Sequence, residues 1–366
     1  MKKILIAIFF AFVFFSIFTN KISAQSENQP KNYQGTITQI LEKKTSGTFN
    51  AGEMFQKLEL TITSKGDLFG QKISVENLDP RIEYKVGNKL MIYQADEKTF
   101  FIADQVRTNA LLILFVIFIF MVLLISKWRG LGSLLGMAFS FLVIIYFILP
   151  KIAEGNNPIL IAILGSLMII PATFYPSHGV NRKTTVAVFS TLLALLVTGF
   201  LASFFINFAK LSGLSSEEAG FLQVMYPGLL NMKGLLLAGV IIGVLGVLDD
   251  ITVSQASIVQ QLKIANPKLK AGELYVRAMQ VGHDHISSMV NTLVLVYAGA
   301  SLPLLLLFND AARPFAEIVN YEIIADEIIR TLVGSIGLIL AVPISTFLAV
   351  IFVDKTDSKM SHDHLA

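Results

Sequence analysis

Two groups of ionisable residues stand in otherwise apolar surroundings: Asp249-Asp250 closes the uncharged run Gly234–Leu248, and His283-Asp284-His285 opens the run Ile286–Phe308. A carboxylate beside hydrocarbon is costly and is usually kept for a pathway, an ion or a partner. An imidazole titrates near neutral pH and ligates metals, so carboxylate and imidazole together could handle a proton or a divalent cation such as Mn²⁺, Zn²⁺ or Mg²⁺. Helical geometry narrows the set. Adjacent side chains diverge by about 100°, which leaves Asp250 with Asp284 or His285 as the pair able to converge and puts Asp249 on a neighbouring face. Along one face, Gly239, Gly243, Gly246, Asp250, Ser254, Ser257 and Gln261 follow at spacings of three and four; the glycines there predict close helix packing of the small-xxx-small kind. Gln255 beside Ser254, and Ser288, Asn291 and Thr292 beyond His285, are the polar residues able to support the site. The competing reading of the two aspartates is a helix end that protrudes into water.

These groups must be positioned by membrane helices. Hydrophobic residues make up 54% of the 366 and charged residues 15%, with mean hydropathy +0.66, a balance that excludes a soluble domain of this length. Each crossing needs roughly twenty residues. The runs Thr108–Ser126, Gly130–Pro150, Pro158–Phe174, Thr184–Ala209, Gly234–Leu248, Ile286–Phe308 and Thr331–Val353 give about seven transmembrane helices over 108–353, of which Gly234–Leu248 is short for a crossing. Tyr175–Gly179 reads as a turn, and Thr252–His283 as the longest cytoplasmic loop. Basic residues concentrate on the side of Lys127, Arg129, Arg182, Lys183, Lys263, Lys268, Lys270 and Arg277, which predicts that side, and the 354–366 tail, to be cytoplasmic.

Ahead of the helices, residues 1–24 have the basic start, apolar run and Ser23-Ala24 end of a signal peptide, or of an N-terminal anchor if uncleaved. Residues 25–107 change to two-residue alternation, as in Leu58-Glu59-Leu60-Thr61-Ile62, over about five short strands. The fold class is therefore a polytopic α-helical membrane protein with a small, extracytoplasmic β-barrel-like domain, of OB or SH3-like type, at its N-terminus. The chain has no cysteine, which excludes disulfides and thiolate sites, and a net charge of +3 gives no sign of nucleic-acid binding. No Walker, nucleophile-elbow or zincin motif is present, so the sequence favours a non-enzyme.

Gly246-Val247-Leu248-Asp249-Asp250-Ile251-Thr252-Val253-Ser254-Gln255, Gly282-His283-Asp284-His285-Ile286, and Asn291-Thr292-Leu293 leading to Tyr297-Ala298-Gly299-Ala300-Ser301-Leu302-Pro303 together resemble the YibE/F family of bacterial multi-pass membrane proteins. The resemblance covers most of the chain after the leader, β domain included. It implies a basic residue before Asp284-His285, where this chain has His283, and a cell-membrane location, but no reaction. No cofactor is evident beyond a candidate divalent cation. Three functions follow as expectations: a permease-like transporter of a small solute or ion using Asp249, Asp250, Asp284 and His285; an envelope assembly or sensing component that binds a protein partner through the β domain; and a metal-dependent membrane hydrolase. Membrane lipid is a partner in all three.

Overall fold

A computed structural model describes residues 32–43, 55–79, 81–96, 99–308 and 314–363, with side chains through residue 353. The leader at 1–24 and residues 364–366 of the 354–366 tail lie outside the residues so described. By its internal contacts the chain divides between Met121 and Val122 into two compact units.

The first unit holds the β domain. Strands β1 (Asn32–Lys43), β2 (Gln56–Ile62), β3 (Lys72–Asn77), β4 (Lys89–Asp96) and β5 (Thr99–Gln105) fall where the alternation predicts them and form one antiparallel sheet in the order β3-β2-β1-β4-β5. Residues of β3 and β5, at the two ends of that order, also approach each other, so the sheet curls toward closure with the strand connectivity of an OB-type barrel. Alternation explains the core: Ile37, Leu58, Leu60, Ile62, Leu90 and Ile92 point inward, each at most 1% exposed. Two amides, Gln56 and Asn77, are buried with them and are satisfied. Gln56 donates from Nε2 to Tyr84 O (3.0 Å) and accepts at Oε1 from Tyr84 N (2.9 Å) and Asn77 Nδ2 (3.2 Å). The outer face of β2–β3 carries the Glu59–Lys72 pair (2.8 Å), which neutralises the surface where OB-type barrels hold ligands.

The helices are α1 (Thr108–Val143), continued by a π-helical stretch (Ile144–Ile148) and a last turn (Leu149–Ala153), α2 (Pro158–His178), α3 (Arg182–Phe208), α4 (Glu217–Met225), α5 (Met232–Ala265), α6 (Ala271–Ala300), α7 (Leu302–Leu307), α8 (Phe315–Ile318) and α9 (Glu322–Asp363). Among the described residues, five helical segments are long and apolar enough to cross a membrane: Thr108–Ala153, Pro158–His178, Arg182–Phe208, Met232–Ala265 and Glu322–Val353. The seven expected runs differ from these five in two places. The first two runs are joined into one helical stretch, which breaks at Lys127 (φ 51°, ψ −130°). There the chain folds back: a Cβ added to Gly130 would lie 2.7 Å from the carbonyl oxygen of Val122, eight residues earlier, whereas a straight helix would separate such residues by about 12 Å. The run Ile286–Phe308 is the second difference. Ala271–Ala300 is a single helix whose first half carries Glu273, Arg277, His283, Asp284 and His285, and it stops at Ser301 before Pro303 starts α7.

Two predicted loops are helix instead. Thr252–His283 is the end of α5 and the beginning of α6, joined by a tight connection at Asn266–Lys270; nothing before Asn266-Pro267 breaks the helix. Tyr175–Gly179 lies mostly in the last turn of α2, and the reversal comes at Gly179 (φ 80°) with Asn181 capping α3 by accepting from Thr184 N (2.9 Å). The bundle centres on α3, α5 and α9, each in contact with the other two; α2 packs on α5, and α6 packs mainly on α9.

Candidate functional site

Contacts between named residues fix the register of the bundle. Glu322 accepts from Ser212 Oγ (2.8 Å) and Gly213 N (3.1 Å), while Gly337 lies against Thr198, so α3 and α9 run antiparallel. Gly334 faces Val244 and Gly282 meets both Val342 and Gln255, so α5 and α9 are parallel and α6 is antiparallel to both. Gln255 Nε2 donates to Ala278 O at 2.9 Å. From that contact Asp249 and Asp250 lie back along α5, and Asp284 and His285 forward along α6, by about one to two turns each, so the hairpin brings all four to one depth, as expected.

It does not join them. Asp250 and Asp284 are exposed, Asp249 and His285 are half-buried, and among the described residues none of the four side chains makes a hydrogen bond or salt bridge with another. Nor do three or more His, Cys, Asp or Glu side chains come together to hold a metal ion among the described residues. The charge bearing on Asp249 is that of Asp250, and those bearing on His178 are Lys183, Arg129 and Asp250. The aspartates sit midway along a helix of 34 residues and do not mark its end.

The glycine stripe is open. A Cβ at Gly239 or Gly246 would meet nothing within 4 Å, and one at Gly243 only Tyr297 Oη at 3.7 Å. The glycines that do mediate helix packing are others: Gly132 against Pro176, Gly136 against Thr173 and Gly282 against Val342. Of the expected supporting residues, Ser288, Asn291 and Thr292 are exposed, Ser254 is half-buried, and Gln255 is fully buried.

Sequence reasoning missed a line of polar groups inside the α3–α5–α9 interface. Thr184, Thr191 and Thr198 recur every seven residues on α3 and are fully buried, a spacing that was itself the available signal. Thr191 Oγ1 and Thr252 Oγ1 are 2.6 Å apart across α3 and α5. Ser335, Ser345 and Thr346 add hydroxyls from α9. At the other end, Glu322, Asp326 and Arg330 recur every four residues on α9; Asp326 accepts from Ser215 Oγ (2.8 Å) with Arg330 3.8 Å away. A separate groove of about 400 Å³ between α2, α3 and α5 is lined by Ile163, Leu167, Leu196 and Phe200 with Ser203 as its polar group, which suits an acyl chain better than a polar solute.

No curated protein and no solved structure matches the chain. A family model described as YibE/F-like protein matches residues 114–355, which takes in the helical region and leaves the β domain outside, contrary to the wider coverage the sequence motifs suggested. The match spans most of the chain, with both aspartates and the His283–His285 segment inside it, and the protein belongs to the YibE/F family.

Proposed function

We propose that this membrane protein is a permease that moves a proton or small cationic solute along the α3–α5–α9 interface, with Asp249 and Asp250 of α5 partway along the route. The observation that carries the reading is the buried polar line itself, with a carboxylate at one end and another partway along: Asp326 beside Arg330, then Ser335 and Thr198, then Asp249 of α5 one turn from Thr252, then Thr252, Thr191, Ser345 and Gln255. Hydroxyls in a membrane bundle also serve packing. Packing alone does not require carboxylates, which are expensive at depth. Thr252 touches Thr191, which lies eight residues, about 12 Å, along α3 from Lys183, so Asp249 lies still farther from that basic rim.

In the proposed topology the two halves of Thr108–Ala153 each cross, α6 with α7 makes a further crossing, and the seven crossings leave the β domain extracytoplasmic behind a signal peptide. The basic rim of Lys127, Arg129, Arg182, Lys183 and Lys263 is then cytoplasmic. The protein reconstituted into vesicles loaded with a pH-sensitive dye, under an imposed potassium gradient, tests this. Proton or cation flux that falls at least tenfold in Asp249→Asn supports the route, and flux unchanged in both Asp249→Asn and Asp250→Asn removes it.

A second reading rests on the β domain. Tyr93 stacks on Phe101 (centroids 5.2 Å apart) on the outer face of β4–β5 beside exposed Met91, an aromatic patch suited to a protein partner in the envelope. Loss of a co-purifying envelope protein in Tyr93→Ser with flux intact would assign that role to the β domain.

A further inference from the structure

Among the described residues three buried side-chain polar atoms have no partner, Arg330 Nε beside Asp326 and, at the heart of the bundle, Gln255 Oε1 and Ser345 Oγ, the last two on residues that are 0% exposed. Leaving such atoms unpaired is unfavourable, and a native interior does so where something fills the gap. The orientation of the Gln255 amide is not arbitrary. Its Nε2 donates to Ala278 O at 2.9 Å, so a flip would set oxygen against oxygen, and Oε1 is the atom left free. Ser345 is an exception among the buried hydroxyls. Ser190, Thr191, Thr198, Ser335 and Thr346 each donate to the carbonyl four residues earlier at 2.7–2.9 Å, and Ser345 does not.

The register places Gln255 and Ser345 within about one helical turn of each other along the bundle. On α9, parallel to α5, Gly334 stands beside Val244, so Gln255, eleven residues on, is level with Ser345. On α3, antiparallel to α9, Thr198 stands beside Gly337, so Thr191 is level with residue 344. The Thr191–Thr252 hydroxyl pair therefore lies within about one helical turn of both orphan oxygens.

We infer that Gln255 Oε1 and Ser345 Oγ, with the Thr191–Thr252 hydroxyls beside them, bind a dehydrated monovalent metal cation of the size of Na⁺. The inference deepens the permease reading and rests on it for the identity of the transported or coupling ion. All the donors are oxygens, which suits hard cations over zinc or copper. No carboxylate is among them, so a divalent ion would enter with its charge uncompensated by a contacting group. Asp249 lies one turn from Thr252 on α5 and is half-buried. A water molecule could bridge the same two atoms. It would leave the protein indifferent to the identity of the salt.

The test is binding of radioactive ²²Na⁺ to the purified full-length protein, together with its melting temperature in NaCl against N-methylglucamine chloride at equal ionic strength. The expected result is saturable binding and a melting temperature raised by Na⁺, with affinity reduced about tenfold in Ser345→Ala and unchanged in Thr346→Ala, whose hydroxyl is bonded to its own helix. Ser345→Cys, which replaces the hard oxygen with a soft sulfur of similar size, should also weaken Na⁺ binding, which keeps the proposal testable if Ser345→Ala folds poorly. Melting temperatures that do not respond to Na⁺, K⁺ or Li⁺, or saturable binding that survives Ser345→Ala undiminished, would overturn it, and the first would leave water as the occupant. Because binding is read without flux, its failure is separate from failure of the permease reading: binding without transport removes only the latter.

Discussion

Gly282 is the point at which α6 is fastened to the bundle, and its replacement by alanine has an outcome that can be worked out in advance. A Cβ there would lie 2.6 Å from Val342 Cγ1 and 3.0 Å from Gln255 Nε2. Carbon atoms in contact prefer about 3.5–4.0 Å, so the methyl overlaps the valine by roughly 1 Å. Val342 is 0% exposed and β-branched, with little freedom to turn aside. The helix must then move out, which stretches the Gln255–Ala278 hydrogen bond from 2.9 Å. Overpacking of this kind costs about 1–3 kcal/mol, against which the better helix propensity of alanine returns about 1 kcal/mol at most. Gly272, on the same helix with nothing within 4 Å of its Cβ position, is the control: Gly272→Ala should be neutral or stabilising. Val342→Ala alone should cost about 2 kcal/mol in lost burial, but combined with Gly282→Ala it removes the obstructing methyls. The double variant should be more stable than the sum of the single effects by about 0.5–3 kcal/mol. Equilibrium unfolding in mixed micelles measures each corner of the cycle. A Gly282→Ala protein as stable as Gly272→Ala, or strict additivity with Val342→Ala, would refute the register on which the cation site depends.

Other consequences follow from single contacts. Asp79 accepts from Arg81 Nε (2.9 Å) and Nη2 (2.8 Å), and that guanidinium holds its carboxyl down from 3.8 to about 2. The stabilisation this gives is present above the unfolded value of 3.8 and is lost as pH falls through about 2; carboxyl-carbon NMR titration should show Asp79 titrating higher once Arg81 is alanine. Leu60→Ala empties a site 0% exposed in the β domain and should cost about 2–5 kcal/mol, read as earlier loss of the β-sheet signal on denaturation. Glu322→Ala strips the acceptor from Ser212 and Gly213, and should lower stability by about 1–2 kcal/mol while making the 209–216 segment more sensitive to protease. The absence of native cysteine makes single-cysteine labelling clean: Ser215→Cys should react with a membrane-impermeant maleimide in intact cells, and Lys268→Cys only after permeabilisation. The reverse pattern would invert the proposed topology.

What the sequence made legible divides along the range of the interactions involved. Strand positions in the β domain follow from local alternation, and Leu58, Leu60 and Ile62 point inward because a strand has no other way to bury three apolar residues out of five. Pairing order was not legible, since it depends on contacts between strands far apart in the chain, such as Thr36 of β1 with Lys89 of β4. Apolar runs located the membrane helices, yet charge was a poor guide to their ends. Asp249 and Asp250 do not stop α5, because an ionised side chain interrupts a hydropathy plot and leaves the backbone hydrogen-bond ladder intact. Proline and a following reversal did stop helices, at Asn266-Pro267 and at Ser301 before Pro303.

The site was half legible for a related reason. Spacing along one helix predicts which residues share a face, and the hairpin does bring Asp250 and His285 to one depth. It cannot predict which neighbouring helix fills that face. Here α9, with its fully buried Val342, Ser345 and Thr346, packs against both α5 and α6 and takes Gln255 into the interior. The stripe of Gly239, Gly243 and Gly246 was left open on the other side of α5. A polar side chain turned inward this way must find a partner or hold one. Gln255 finds one at Ala278 for its nitrogen, and the want of any for its oxygen is the physical reason to look for an ion there before looking at exposed His283 and half-buried His285.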